Sequence, residues 1–337
     1  MSFQRKARGL VLVFAALALA SHGAIARDGG PAKSVKPPTK KTVKAGPTGA
    51  RKAATGRKNA SLSRAATHPR VKPGVVSRTA TATAPGALGL KSNVALVIDD
   101  KSGQTLLAKN VDDRQPIASI TKLMTALVVL ESQVPLSKRI EITEADIDLE
   151  RSSRSRLSVG TELTRAELLH LALMASENRA AHALGRSHPG GIEAFIAAMN
   201  AKAAALGMAR TRFVDPTGLS GANVSTATDL VRLVEAADKV NLIRRYSTDP
   251  HLDVQVLGRD VRFHNTNRLV ASDGWDVTVS KTGFLSEAGR CLVMRARVDG
   301  RDLTFILLDS WGKLSRIGDA NRIRKWLSAA RLTARPA

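Results

Sequence analysis

Hydrophobic and polar positions divide the chain into three stretches of different rhythm. Leu10 to Ala20 is a short apolar run behind Arg5, Lys6 and Arg8. From residue 27 to about residue 90 large apolar side chains nearly vanish. Beyond Lys91 they return at regular intervals, and the intervals predict elements. Asn93–Asp99 reads as a strand, Lys101-Ser-Gly103 as a turn, and Gln104–Asn110 as the hairpin partner. A helix rich in Leu, Val, Met and Ala is expected from about Ser119 to Glu131. Residues 141–160 are charged and irregular. Apolar residues three and four apart predict helices near 165–174, 177–185, 191–206 and 226–239, with Gly207 stopping the third. Strands resume after Leu252, at Val277–Ser280, Arg290–Val298 and Arg301–Asp309, the last two joined by the tight turn Asp299-Gly300. A closing helix is expected over about Arg316–Arg331. Strands, then many helices, then strands and a helix predict an α+β fold: an antiparallel sheet flanked by helices, with an all-helical subregion.

The first two stretches lack such spacing. Residues 1–26 have a basic start, an apolar centre too short to span a bilayer comfortably, and the small-x-small sequence Ala24-Ile25-Ala26. They are expected to be a signal peptide cleaved after Ala26, so the rest of the chain is exported. Residues 27–90 are rich in Lys, Arg, Ala, Pro, Thr and Gly. Up to Gly89 they hold fourteen basic side chains and one acid, Asp28. Too little apolar surface is available to offset the entropy of ordering, so a disordered basic linker is expected. It carries more than half of the net charge of +23, leaving the domain expected at 91–333 only moderately basic. Such a linker suits an anionic wall polymer or a membrane surface. Nucleic acid is not an expected partner, because the chain is exported and aromatic residues make up only 3% of it. The single cysteine, Cys291, sits in the apolar run Cys-Leu-Val-Met and reads as a buried structural thiol.

Three short patterns carry candidate chemistry. Ser119-Ile-Thr-Lys122 falls at a helix start, where residues three apart share a face, so Lys122 can reach the Ser119 hydroxyl as its base. A second Ser-x-x-Lys, Ser310-Trp-Gly-Lys313, follows a strand and contains Gly312, which argues against a helix there. Ser176-Glu-Asn178 falls between two helices, and Lys281-Thr282-Gly283 ends a strand. Each alone reads more simply as a cap or a turn. Together, in this order, they are specific.

The order Ser-x-x-Lys, Ser-x-Asn, Lys-Thr-Gly resembles that of the penicillin-binding proteins and serine β-lactamases. The longer runs Ile117–Thr125, Ser176–Ala181, Ala198–Ala203, Asp215–Ser220 and Lys281–Phe284 resemble the low-molecular-weight D-alanyl-D-alanine peptidases. His188–Gly191 and Gly289–Met294 are similar to the branch of penicillin-binding protein 7, the D-alanyl-D-alanine endopeptidases. The resemblance covers roughly residues 91–332 and implies a β-lactamase/transpeptidase-like fold with the active site where sheet and helical region meet. It implies Ser119 as the nucleophile that forms an acyl-enzyme, Lys122 as base, and Ser176 as proton relay to the departing amine. Asn178 would orient Lys122 and bind a substrate amide. Lys281 and Thr282 would hold the substrate carboxylate, and the N–H groups of Ser119 and Phe284 would stabilise the oxyanion. Gly283 would leave room for a ligand along the strand edge.

A free lysine titrates near 10.4, so Lys122 needs burial and the nearby cation Lys281 to become neutral. The implied partners are peptidoglycan stem peptides and cross-links, with β-lactams as covalent inhibitors and the periplasm as location. The branch resemblance favours the endopeptidase, which cuts the D-alanyl–meso-diaminopimelate cross-link, over a D-alanyl-D-alanine carboxypeptidase. So does the length after Gly283, where only two strands and a helix are expected. A class A β-lactamase would need a deacylating Glu-x-x-Leu-Asn run, and none stands between Ser176 and Lys281. The seven histidines, including His170, His182 and His188 on or beside helices, lack a His-Glu-x-x-His spacing; neither metal nor cofactor is expected.

Overall fold

Five strands pair in the order β2-β1-β11-β10-β9: β1 Ser92–Asp99, β2 Thr105–Lys109, β9 Asp276–Leu285, β10 Gly289–Val298 and β11 Arg301–Ser310. Every pairing is antiparallel, and β1 lies against β11, so the two ends of the domain close on one sheet. This computed structural model describes residues 88–333 except Glu150 and Ser152; the expected signal peptide and nearly all of the basic linker lie outside the described residues.

The central strands are apolar on both faces because both faces are covered. Ala95 and Val97 of β1 and Leu303, Phe305 and Leu307 of β11 pack with Ile323 and Leu327 of α7 (Ser315–Thr333). Val94, Leu96, Ile306 and Leu308 point the other way, into the core shared with the helical region. That region comprises α1 Thr121–Glu131, α2 Arg165–Met174, α3 Asn178–Arg186, α4 Gly191–Ala205, α5 Ala227–Asp238 and α6 Asn241–Thr248. Helix α1 is its axle: Thr121 through Val129 are all buried, which explains a sequence without a polar face. Short ladders complete the fold, β3 Gln115–Pro116 with β6 Val224–Ser225, β4 Arg139–Glu141 with β5 Glu162–Thr164, and the hairpin β7 His251–Val256 with β8 Arg259–His264.

Most predicted elements lie within a residue or two of their observed bounds, and three differences matter. Ser119 does not start the α-helix: it sits in a 3-10 turn, Ala118–Ile120, and α1 begins at Thr121. Lys281-Thr282-Gly283 lies inside β9, which continues to Leu285. Helix α6 was not expected, because its sequence is mostly polar and only Ile243 and Ser247 are buried. No helix among the described residues is long and apolar enough to cross a membrane.

Candidate active site

The site forms where the start of α1, the junction of α2 with α3, the 214–221 turn and β9 converge. Local backbone places the two serines. Ala118 has φ 48° and Ser176 φ 60°, left-handed conformations that cost non-glycine residues about 1–3 kcal/mol and persist where surrounding contacts impose them. Glu177 N–H donates to Leu171 O, folding the chain back at the end of α2 so that Ser176 faces β9.

Lys122 is fully buried. Its Nζ lies 2.9 Å from Ser119 Oγ, 2.7 Å from Asn178 Oδ1 and 2.5 Å from Thr217 O. A neutral amine has two N–H donors and one lone pair. The amide oxygen and the carbonyl can only accept, so they take both donors and leave the lone pair for the Ser119 hydroxyl. Burial lowers the Lys122 pKa from 10.5 to about 7, against the opposing pull of the Asp215 and Glu177 carboxylates.

Lys281 faces it across the site, also fully buried, and donates to Ser176 Oγ at 2.8 Å and Thr282 O at 2.9 Å. Burial and then the charges of Lys122 and Arg316 hold its pKa well below the ordinary lysine value. Burial is the main cause of the lowering at both amines, and the repulsion between them, expected from the sequence, adds to it. Thr282 Oγ1 donates to Thr266 Oγ1 at 2.7 Å. Phe284 is 55% exposed at the rim, with the Arg290 guanidinium 4.4 Å from its ring centroid.

Gly283 has a reason beyond the expected one. A Cβ there would come 3.0 Å from Ala118 Cβ and 3.0 Å from Ser119 N. The absent side chain lets β9 close onto Ala118 and the backbone of Ser119. The 214–221 turn approaches from the opposite side. Gly218 has φ 80°, and a Cβ on it would sit 2.0 Å from Ala118 O. Asp215 builds this turn by accepting from Thr217 N and Oγ1, Gly218 N and Ser220 N. Buried Asn223 ties it to α1 by donating to Thr121 Oγ1 and Asp215 O.

Thus Ser119, Lys122, Ser176, Asn178, Lys281, Thr282 and Gly283 come together, and Phe284 borders them. Several contributors were not assigned roles from the sequence. Thr217 acts through its backbone carbonyl, which no residue pattern advertises. Thr266 comes from an irregular segment after β8. Arg316 has buried Nε and Nη1 atoms without hydrogen-bond partners, near enough to Lys281 to lower its pKa; its signal is an arginine amid apolar positions at the start of α7. The second Ser-x-x-Lys pair does not assemble: Ser310 Oγ donates to Ser315 Oγ, and Lys313 is exposed.

Outside the site, His170 stacks on Tyr246 and places Nε2 3.0 Å from Asp249, while His182 pairs with buried Asp146, which Arg186 also holds. No group of three or more metal-ligating side chains occurs among the described residues. Cys291 is buried, donates to Ala288 O, and has its pKa pushed up to about 11 by burial.

The sequence profile of a peptidase family described as D-alanyl-D-alanine carboxypeptidase matches residues 79–311. A Pseudomonas aeruginosa protein named D-alanyl-D-alanine endopeptidase is 46% identical over 250 residues, covering 74% of this chain and 81% of its own length. Among solved structures, the Streptomyces K15 DD-transpeptidase superposes with a TM-score of 0.65 at 29% identity, over 71% of this chain and 98% of its own. Penicillin-binding protein D2 from Listeria monocytogenes, solved in a cefotaxime-bound form, superposes with a TM-score of 0.62 at 28% identity, over 70% and 96% of the two chains. The fold is therefore the transpeptidase-like α+β architecture that the motif order implied.

Proposed function

The chain belongs to the D-alanyl-D-alanine carboxypeptidase family of serine peptidases, and from that membership and the site geometry we propose that it hydrolyses D-alanyl amide bonds of peptidoglycan, chiefly the D-alanyl–diaminopimelate cross-link. The observation that carries this reading is the buried Lys122 amine, with a pKa of about 7, held 2.9 Å from Ser119 Oγ by acceptors that occupy its two N–H groups.

In this mechanism neutral Lys122 takes the Ser119 proton as Oγ attacks the D-alanyl carbonyl carbon. The N–H groups of Ser119 and Phe284 receive the developing oxyanion; the close approach of Gly283 to Ser119 N supports their pairing. The proton passes through Ser176, held by Lys281, to the departing nitrogen, and the C–N bond breaks to leave an ester on Ser119. A water then attacks that ester, and the reverse transfers regenerate the free serine. Lys281 and Thr282 hold the carboxylate on the D-centre of the leaving group, and the unpartnered guanidinium of Arg316 supports the same role for itself. A terminal D-alanine carries that carboxylate too, so carboxypeptidase activity is the second reading, favoured by the family description. The endopeptidase is preferred because the 46%-identical Pseudomonas relative bears that name.

The proposal extends to organisation. Residues 1–26 direct export, residues 27–90 form a basic linker that touches anionic wall polymer or membrane, and 91–333 form the peptidase domain, acting in the periplasm. β-Lactams acylate Ser119; nucleic acid is not a partner.

Chromatography of wall fragments after digestion tests the reaction: cross-linked dimers disappear if it is an endopeptidase, terminal D-alanine if it is a carboxypeptidase. Loss of neither refutes the assignment. Mass spectrometry after labelled penicillin is expected to place the adduct on the peptide containing Ser119.

A further inference from the structure

A cleft of about 930 Å³ is lined in part by Ala175 and Glu177, the chain neighbours of Ser176, and plays no part in the chemistry above. It opens between the 147–156 loop, the first turn of α3 and the end of β8. Its wall includes Arg154, Arg156, Arg179, Phe263, His264 and Thr266. The guanidinium of Arg156 is pre-set: it lies 4.0 Å from the Phe263 ring centroid and donates to Arg262 O at 2.6 Å. Arg179 donates to Leu157 O at 2.7 Å. Two carboxylates share the cleft, and the loop engages both. Glu177 Oε1 accepts from Ser155 Oγ and Arg156 N, and Asp148 accepts from Arg151 N and Ser153 N. Glu177 forms no salt bridge with these three arginines among the described residues, and the guanidinium bonds of Arg156 and Arg179 go to backbone carbonyls, so donors remain for an incoming anion.

Position decides what that anion is. Thr266, on the cleft wall, accepts from Thr282, and Glu177 follows Ser176 in sequence. The cleft therefore continues from the side where Ser176 and Thr282 would receive the leaving group. A leaving D-alanine ends at its own carboxylate beside Lys281 and Thr282. The leaving group of a cross-link continues into a second stem peptide that bears further free carboxylates. We propose that this cleft binds the amine-side stem peptide of the cross-link, with Arg156 and Arg179 pairing its carboxylates. The inference rests on the endopeptidase reading above and names what would make that substrate fit better than a simple D-alanyl-D-alanine terminus.

The test measures equilibrium binding of a purified cross-linked muropeptide dimer to full-length protein carrying Ser119→Ala, so that the ligand survives. The comparison ligand is the same dimer with the carboxylates of its amine-side stem amidated, except the D-centre carboxylate beside the scissile bond, which is left free for Lys281 and Thr282. The acid form is expected to bind about tenfold tighter than the amide, the size of one or two partly exposed charge-assisted hydrogen bonds. Arg156→Gln with Arg179→Gln is expected to erase that preference, and Arg156→Lys with Arg179→Lys to retain most of it. Each single glutamine variant is read separately in case the double variant does not fold. Equal binding of the two dimers, or a preference that survives both glutamine substitutions, overturns the proposal. Turnover by the unsubstituted enzyme is scored apart. Cleavage without a carboxylate preference keeps the endopeptidase reading and discards the cleft. A preference without cleavage does the reverse.

Discussion

Removing the capacity of residue 122 to lose a proton, while keeping its length and charge, isolates the step on which the mechanism turns. Lys122→Arg does this, because a guanidinium stays protonated throughout the accessible pH range. The size of the effect follows from the burial of the amine. A pKa lowered from 10.5 to about 7 represents about 5 kcal/mol of bias against the charged form. In the folded protein, about half of Lys122 is then neutral near pH 7; with an ordinary lysine pKa it would be fewer than about one in a thousand. The assay is the second-order rate of acylation by benzylpenicillin, followed by stopped flow from about pH 5 to pH 10. In the unsubstituted enzyme the rate should climb about tenfold per pH unit on the acid side and level near pH 7, because protonation of Lys122 removes the base. An alkaline fall should begin below the ordinary lysine range, where Lys281, itself lowered, loses the charge that anchors the carboxylate. Lys122→Arg should lower the plateau by about 10²–10⁴-fold, the usual worth of a positioned general base. A flat profile across this range refutes the assignment of Lys122 as base, as does an arginine variant within tenfold of the parent.

The buried amine has a cost in stability. The folded pKa lies below the unfolded one, so the unfolded chain binds the extra proton between about pH 7 and 10.5. Stability should rise with pH there, by about 1.4 kcal/mol per unit, and denaturant midpoints should show less of this slope in Lys122→Met. Asp146 has the opposite sign. Burial raises its pKa, but hydrogen bonds from His182, Arg186 and Thr143 N–H with the Arg186 charge together outweigh burial and lower it from 3.8 to about 2, so its contribution of about 2 kcal/mol is present above pH 4 and fades as pH falls toward 2. Asp146→Asn should therefore lower the denaturation midpoint at neutral pH and match the parent in strong acid. Gly218→Ala should cost about 2–4 kcal/mol and most of the acylation rate, since the new methyl meets Ala118 O and displaces the turn that offers Thr217 O to Lys122. Unchanged melting and acylation would show that the turn does not position the base.

Periodicity and punctuation were enough for the sheet and most of the helices, because burial on one or two faces writes itself into the order of residues. Helix α1 and strands β1, β10 and β11 are near-continuous apolar runs for that reason. The three motifs were legible through their order along the chain and not through any one spacing, since the lone Ser310–Lys313 pair assembles nothing. What the linear order could not supply was proximity. Only the folded chain brings Thr217 O and Asn178 Oδ1 onto one amine, and only their joint occupancy of its two donors aims the lone pair at Ser119. Gly283 was read as room for substrate; what its missing side chain visibly admits is the backbone of Ser119, 164 positions earlier in the sequence. Helix α6 stayed hidden because its apolar stripe is only Leu242, Ile243 and Tyr246, over two turns that become recognisable once they pack against α2 and β9. Arg156 and Phe263 carry no pattern, and Arg179 only that of its motif run; their common cleft exists because Ser155 and Arg156 bond Glu177 at the start of α3 while Arg156 stacks on Phe263 at the end of β8. Local sequence determined which elements form, while desolvation and convergence, properties of many distant residues at once, decided what the lysines are able to do.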